Sequence, residues 1–276
     1  VSELIDMTSR GRASLKRISE LLDAPQDVAD RPDVTPLGPV KGNVEFRHLT
    51  LRYPDGEYDA LRDVSFTIHA GESVGIVGRT GSGKTTVVDL MLRICNVPDG
   101  TVFVDGRDVN TVPIREVRQA AAYVPQDNFL FSDTIARNVD FTHTIPYQTR
   151  VVNAAVLAGV ADDVRDFPLG YETVLGERGV TVSGGQKQRI SIARALIKDA
   201  PILILDDSVS AVDTQTERAI LQNLRAQRTG RTTILIAHRI STVEQMDRII
   251  FLEDGLVTAI GPHSELYETC PAYHRM

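Results

Sequence analysis

The stretch Gly78-Arg79-Thr80-Gly81-Ser82-Gly83-Lys84-Thr85 decides how the rest of the chain is read. It meets the phosphate-loop pattern G-x-x-x-x-G-K-[ST] at every specified position. Ser73-Val74-Gly75-Ile76-Val77 precedes it as a buried strand, and Thr86-Val87-Val88-Asp89-Leu90-Met91-Leu92 follows with apolar residues at helical spacing. Strand, glycine loop and helix in that order are the setting the pattern requires. The glycines let backbone N–H groups turn inward on a phosphate, and the helix N-terminus adds positive potential there. Lys84 is expected to reach the β- and γ-phosphates of a nucleotide, and the Thr85 hydroxyl to bind Mg²⁺.

Composition narrows the remaining classes. At 276 residues the chain can form one large α/β domain, or a core with a small subdomain, and bury an ample interior. A formal net charge of -7 argues against a nucleic-acid-binding surface. Two cysteines, Cys95 and Cys270, fit neither a metal cluster nor a disulfide framework, so a reducing, cytosolic setting is the simpler expectation. No apolar run reaches the roughly 18 residues a membrane-spanning helix needs. The chain opens at Val1 without a signal-peptide pattern, which reads as a cut inside a longer polypeptide.

Residues 1–24 carry apolar positions at Leu4, Ile5, Leu15, Ile18, Leu21 and Leu22 among Arg10, Arg12, Lys16 and Arg17. This predicts one amphipathic helix or two, either packed on the domain's own core or continuing a membrane helix at its cytoplasmic end. Prolines 25, 32, 36 and 39 mark 25–42 as an extended linker, leaving 43–276 as the main domain. Period-two alternation in Val44–Leu49 and Val64–Ile68 predicts an antiparallel β-layer ahead of the phosphate loop. Asp99-Gly100 and Asp105-Gly106 bracket a hairpin strand at 101–104, and Ala121–Val124 is a candidate core strand. Residues 132 to about 166 read as mostly helical, with Ser132 or Asp133 as cap, and Ser183 opens a helix over 184–197. Strands at 202–205, 232–236 and 248–252 alternate with helices, and a terminal helix starts near Pro262. The fold class expected is α/β: a phosphate-loop NTPase core with a mainly parallel sheet, an antiparallel β-subdomain and a helical subdomain over about 127–198.

Two further stretches carry chemistry. Ile202-Leu203-Ile204-Leu205-Asp206-Asp207 is a buried strand ending in two carboxylates, and ligands sit at the carboxyl ends of such strands. Asp206 is therefore expected to hold Mg²⁺ against the phosphates. Val182-Ser183-Gly184-Gly185-Gln186 sets a serine cap and two glycines at a helix start, a second place for an anion. One chain has one triphosphate to bind, so a second anion site points to a phosphate brought by another molecule.

From about residue 43 to 265 the chain resembles the nucleotide-binding domain of ABC transporters, exporter type, its signature departing from L-S-G-G-Q only in Val182. The resemblance implies ATP and Mg²⁺ as cofactors, bound by Gly78, Arg79, Thr80, Gly81, Ser82, Gly83, Lys84, Thr85 and Thr86. It implies that Ser183, Gly184, Gly185 and Gln186 contact the γ-phosphate held by a partner domain, so that ATP lies between two head-to-tail copies. It assigns Tyr53 to stacking on adenine, Gln126 to Mg²⁺, the attacking water and the membrane domain, and His238 to the γ-phosphate. Gly176-Glu177-Arg178-Gly179 matches the cross-linking loop of exporters, and Ser210-Ala211-Val212-Asp213 the loop that faces its counterpart across the dimer.

One departure stands out. Where the family carries a glutamate as general base, this chain has Asp207, shorter by one methylene. That withdraws the carboxylate by ~1.5 Å, a serious loss for a base that must lie within hydrogen-bond reach. Exporters built from two different halves commonly carry such a weakened site, so the resemblance implies a heterodimeric partner alongside a transmembrane domain in the same polypeptide. The expected location is the cytoplasmic face of a membrane. Non-transport relatives, many of which place a coiled coil between glutamine loop and signature, are the alternative; here Gln126 and Ser183 are only 57 positions apart. A mainly regulatory half with weak hydrolysis is a further alternative.

Overall fold

The computed structural model describes residues 2–24, 26–141, 147–176 and 180–276. It opens with one continuous helix, α1 (Ser2–Leu22), none of whose residues is buried. Of the two placements the sequence allows, packing on the domain's own core is thereby excluded. No helix among the described residues is long and apolar enough to cross a membrane.

The segment after α1 is extended as its prolines predict, but it lies along the domain as a strap. Asn96 Nδ2 donates to Asp27 O at 2.8 Å, Ile114 N to Asp30 Oδ1 at 2.8 Å and Thr35 N to Thr111 O at 2.9 Å. Asp105 then accepts from the N–H groups of Lys41 and Asn43.

β1 (Val44–Leu51) and β2 (Leu61–Ile68) pair antiparallel, with Phe46 opposite Phe66 and their rings stacked at 4.6 Å. β3 (Ser73–Val77) runs through the glycine loop into α2 (Lys84–Met91). β4 (Val102–Val104) and β5 (Arg107–Asp108) form the expected hairpin, and α3 (Ile114–Ala120) leads to β6 (Ala121–Val124). A helical group follows: α4 (Ile135–Val139), α5 (Tyr147–Leu157), α6 (Ala161–Asp166) and α7 (Gly184–Ile197). The cap of α4 is Thr134, whose hydroxyl accepts from Arg137 N, rather than Ser132 or Asp133. β7 (Ile202–Asp206), α8 (Thr214–Gln227), β8 (Thr232–Ala237) and α9 (Ile240–Val243) continue the alternation. β9 (Arg248–Glu253) is followed not by a helix but by an antiparallel strand, β10 (Leu256–Gly261), before α10 (His263–Thr269) and α11 (Pro271–His274). Asp254 and Gly255, both with positive φ, make that turn.

The core sheet has the order β10-β9-β3-β8-β7-β6, parallel throughout except for β10. The second sheet, β2-β1-β4-β5, is antiparallel. Both faces of the core sheet are covered, which is why its strands read as unbroken apolar runs. Ile202 and Ile204 face the cluster shared with α2 and the antiparallel sheet, while Leu203 and Leu205 face the one shared with the helical group. Each such fully buried side chain contributes about 1.5–3 kcal/mol. The consequence for function is geometric. β6, β7, β8 and β3 are parallel neighbours, so whatever follows each of them emerges at one edge of one sheet.

Candidate active site

That edge gathers the residues the motifs singled out. Gly78–Lys84 follow β3, Gln126 follows β6, Asp206 ends β7 with Asp207 just after it, and His238 follows β8. The glycine loop is shaped by close approach. A Cβ on Gly78 would stand 2.2 Å from Leu252 O and 2.5 Å from Ser82 Oγ. Gly83, the residue before α2, has φ +96° and would meet Leu61 Cδ2 at 2.6 Å. The loop is thus clamped between β9 and the start of β2.

Lys84 is buried, and its Nζ donates to Gly78 O at 2.8 Å and Arg79 O at 2.9 Å. An ammonium has three donors, and the third has no acceptor among the described residues. Burial pushes this group below the ordinary lysine range, and the nearby carboxylates of Asp206 and Asp207 oppose that shift. Ser82 Oγ is buried without a hydrogen-bond partner among the described residues. A spare ammonium donor, an unpaired hydroxyl and a helix N-terminus together fit an incoming phosphate.

Asp206 is 2% exposed, and burial pushes its carboxyl above the usual range, with Asp207 adding to the shift. Hydrogen bonds from Thr85 and Tyr123, and the charge of Lys84, pull the other way. Thr85 Oγ1 donates to Asp206 Oδ2 at 3.2 Å. A hydroxyl and a carboxylate side by side, with oxygen donors only, fit Mg²⁺, which takes few protein ligands and completes its shell with phosphate and water.

The remaining predicted residues divide into two groups. Tyr53 lies at the phosphate loop, its hydroxyl donating to Thr86 Oγ1 at 3.2 Å, and burial raises its pKa. Gln126 is exposed and His238 half-buried; no hydrogen bond of either side chain is present among the described residues. Asp207 is half-buried, with φ +45°. Its N–H donates to Ile236 O at 3.0 Å and its carbonyl accepts from Ser210 Oγ at 2.8 Å, which holds the left-handed turn.

The Ser183 segment stands apart from all of these. Ser183 Oγ accepts from Gln186 N at 3.2 Å while Gln186 Oε1 accepts from Ser183 N at 3.0 Å, a reciprocal cap on α7. Gln186 Nε2 donates to Asp163 Oδ1, and Arg189 pairs with the same carboxylate at 2.7 Å, tying α7 to α6. Ser183 and Gly184 are exposed, and no hydrogen bond joins this segment to residues 78–86 among the described residues. Glu177, Arg178 and Gly179 of the expected cross-linking loop lie outside the described residues.

A family model described as ABC transporter matches residues 61–210, more than half of the chain. This chain belongs to the ABC transporter family. It is 42% identical over 266 residues to the "Probable multidrug resistance ABC transporter ATP-binding/permease protein YheI" of Bacillus subtilis (strain 168), covering 96% of this chain and 45% of that one. It is 40% identical over 268 residues to the "ATP-dependent lipid A-core flippase" of Escherichia coli (strain K12), covering 97% of this chain and 46% of the flippase. Among solved structures, an Atm1-family ABC exporter with ATP bound superposes with a TM-score of 0.90 at 37% identity, over 97% of this chain and 46% of the exporter. The chain thus spans less than half the length of these relatives, and its similarity is to ABC exporters with an ATP-binding part.

Further contacts join these motifs to one another and to their surroundings across the fold. Gln188, buried on α7, accepts from Ala211 N at 3.0 Å through Oε1 and donates to Asp207 O at 3.5 Å. It therefore links the signature helix to the loop after β7. Arg239, the residue after His238, pairs with the buried carboxylate of Glu217 on α8 at 2.9 Å. Tyr123 Oη donates to Asp206 Oδ2 at 3.3 Å. None of these partners is close in sequence, so no spacing rule could have found them.

The clamp on the loop has a measurable consequence. Gly78→Ala is expected to lower stability by roughly 1–3 kcal/mol, because Leu252 O is backbone and cannot step aside. Chemical denaturation checks this, and an unchanged midpoint would refute the close approach.

Proposed function

We propose that this chain is the ATP-binding and ATP-hydrolysing motor domain of an ABC exporter. In this reading it dimerises head-to-tail around ATP, and the attached membrane segments move as the dimer closes and reopens. The observation that carries the reading is the pairing of Thr85 Oγ1 with Asp206 Oδ2 at 3.2 Å beside the buried Lys84 ammonium. Bound Mg²⁺ supplies charge neutralisation at the phosphates, held by Thr85, Asp206 and Gln126. Lys84 balances the charge of the outer phosphates, His238 donates toward the γ-phosphate, and Tyr53 takes the adenine ring. Asp207 is the base that faces the attacking water.

The exposure of Ser183 and Gly184, away from the chain's own phosphate loop, supports a role toward a second nucleotide-binding domain. Asp207 in place of glutamate, with an intact signature, favours a different subunit as that partner, this chain's own site being the weaker of two. A groove of about 780 Å³ lined by Tyr123, Phe141, Arg194 and Lys198 offers a seat for the transmembrane part of the same polypeptide. The similarity to a multidrug resistance ABC transporter and to a lipid A-core flippase supports transport over a non-transport ATPase, at the cytoplasmic face of a membrane.

Gly184→Asp tests the head-to-tail arrangement cleanly. A Cβ there meets nothing within 4 Å, and an acid suits the first turn of a helix, so stability should stay within about 0.5 kcal/mol. The added charge repels a partner's phosphate. The expected result is normal ATP binding by the variant with loss of ATP-driven association, read by light scattering. Association equal to that of wild type would sink the arrangement.

A further inference from the structure

Tyr123 sits on β6 opposite Ile204 of β7 in the parallel register. Asp206 lies two residues beyond Ile204, on the same sheet face because side chains alternate with period two. Two residues of strand span about 6.6 Å, which a phenol covers and a shorter side chain does not. The Tyr123 hydroxyl arrives at Asp206 Oδ2 at 3.3 Å, the same oxygen that accepts the Thr85 hydroxyl at 3.2 Å. Asp206 is 2% exposed, so water has little access to replace either donor. Oδ1 of the same carboxylate accepts no hydrogen bond among the described residues.

The two donors differ in what they are free to do. Thr85 belongs to the phosphate loop and is itself a candidate ligand, so its oxygen takes on a second task, offering a lone pair to the cation, when one is bound. Tyr123 belongs to a neighbouring strand and has no such task. Its ring is wedged against the cluster that includes Ile202 and Ile204, which restricts its rotation.

We propose that Tyr123 is a positioning residue for the Mg²⁺ site, its hydroxyl holding the Asp206 carboxylate by Oδ2 so that Oδ1 is presented to the ion. The proposal rests on the nucleotide-and-metal reading above. It assigns Tyr123 no contact with nucleotide, water or metal. Outer partners of metal-binding carboxylates commonly change metal affinity by about 10–100-fold.

The test uses the whole chain and needs no turnover. The rise in melting temperature produced by saturating ATP is titrated with Mg²⁺, with ATP in EDTA as the metal-free reference. Tyr123→Phe keeps the ring and its packing and removes only the hydroxyl. The expected result is an unchanged shift with ATP in EDTA and a Mg²⁺ midpoint about tenfold higher than in wild type. An identical Mg²⁺ midpoint in the two proteins overturns the proposal. Equal losses with and without Mg²⁺ overturn it too, since they indicate a structural role alone. Should Tyr123→Phe fold poorly, Tyr123→Met, which fills the space without a donor, is read by the same criteria. Asp206→Asn separates the two levels. If wild type gains Mg²⁺-dependent stabilisation that Asp206→Asn lacks, the site reading stands whatever Tyr123→Phe does. If wild type gains none, the site reading itself fails, and this proposal with it.

Discussion

Asp207→Glu is expected to raise ATP turnover of this chain about 100-fold, while lowering its stability by up to about 1 kcal/mol. The gain follows from reach. A general base works only within hydrogen-bond distance of the proton it takes, and the added methylene restores the length that the family's glutamate provides. The loss follows from the backbone. Position 207 has φ +45°, a left-handed conformation that aspartate tolerates better than longer side chains do. The turn persists because Asp207 N is held by Ile236 O and Ser210 Oγ by Asp207 O, so the variant should keep the fold. Steady-state turnover over a range of protein concentrations, beside a denaturant titration of the nucleotide-free protein, reads both effects. Near-silent wild type with a revived variant supports a partner subunit of different sequence. Brisk wild-type turnover that rises with concentration would make a homodimer the better reading.

Lys84→Ala is expected to lower turnover by about 10²–10³-fold or more, the range seen when one preorganised charge-stabilising donor is removed. Lys84 is buried at 5% exposure and already aimed by two carbonyls of its own loop, so little reorganisation separates it from a phosphate. The variant leaves Gly78 O and Arg79 O without their shared donor, and removes the counter-charge that Lys84 offers Asp206 and Asp207. ATP affinity should therefore fall as well as rate. Equilibrium binding of ATP separates the two, and binding at the wild-type level with turnover intact would remove Lys84 from the site.

Much of this architecture was legible in the chain itself. The core strands, the antiparallel layer and the α7 cap follow from alternation, apolar runs and a serine placed three residues before a glutamine. These are local signals, carried by backbone preferences within a few residues. β10 is not legible in the sequence, because Leu256–Gly261 is an edge strand whose apolar residues face outward in part and whose pairing depends on β9. From sequence the strap over residues 27–42 reads only as an extended linker, because proline marks extended backbone and says nothing about what that backbone lies against.

The sequence by itself determined the fold class, the phosphate loop and the carboxylate that ends β7, since each is written in glycine freedom, helix capping or strand burial over a short span. Only the tertiary structure decided that Leu252 O closes on Gly78, that Gln188 joins the signature helix to Asp207, and that Tyr123 reaches Asp206. Those contacts join residues 19 to 174 positions apart, and they exist because parallel strand register and strand order set which side chains meet at one edge of one sheet.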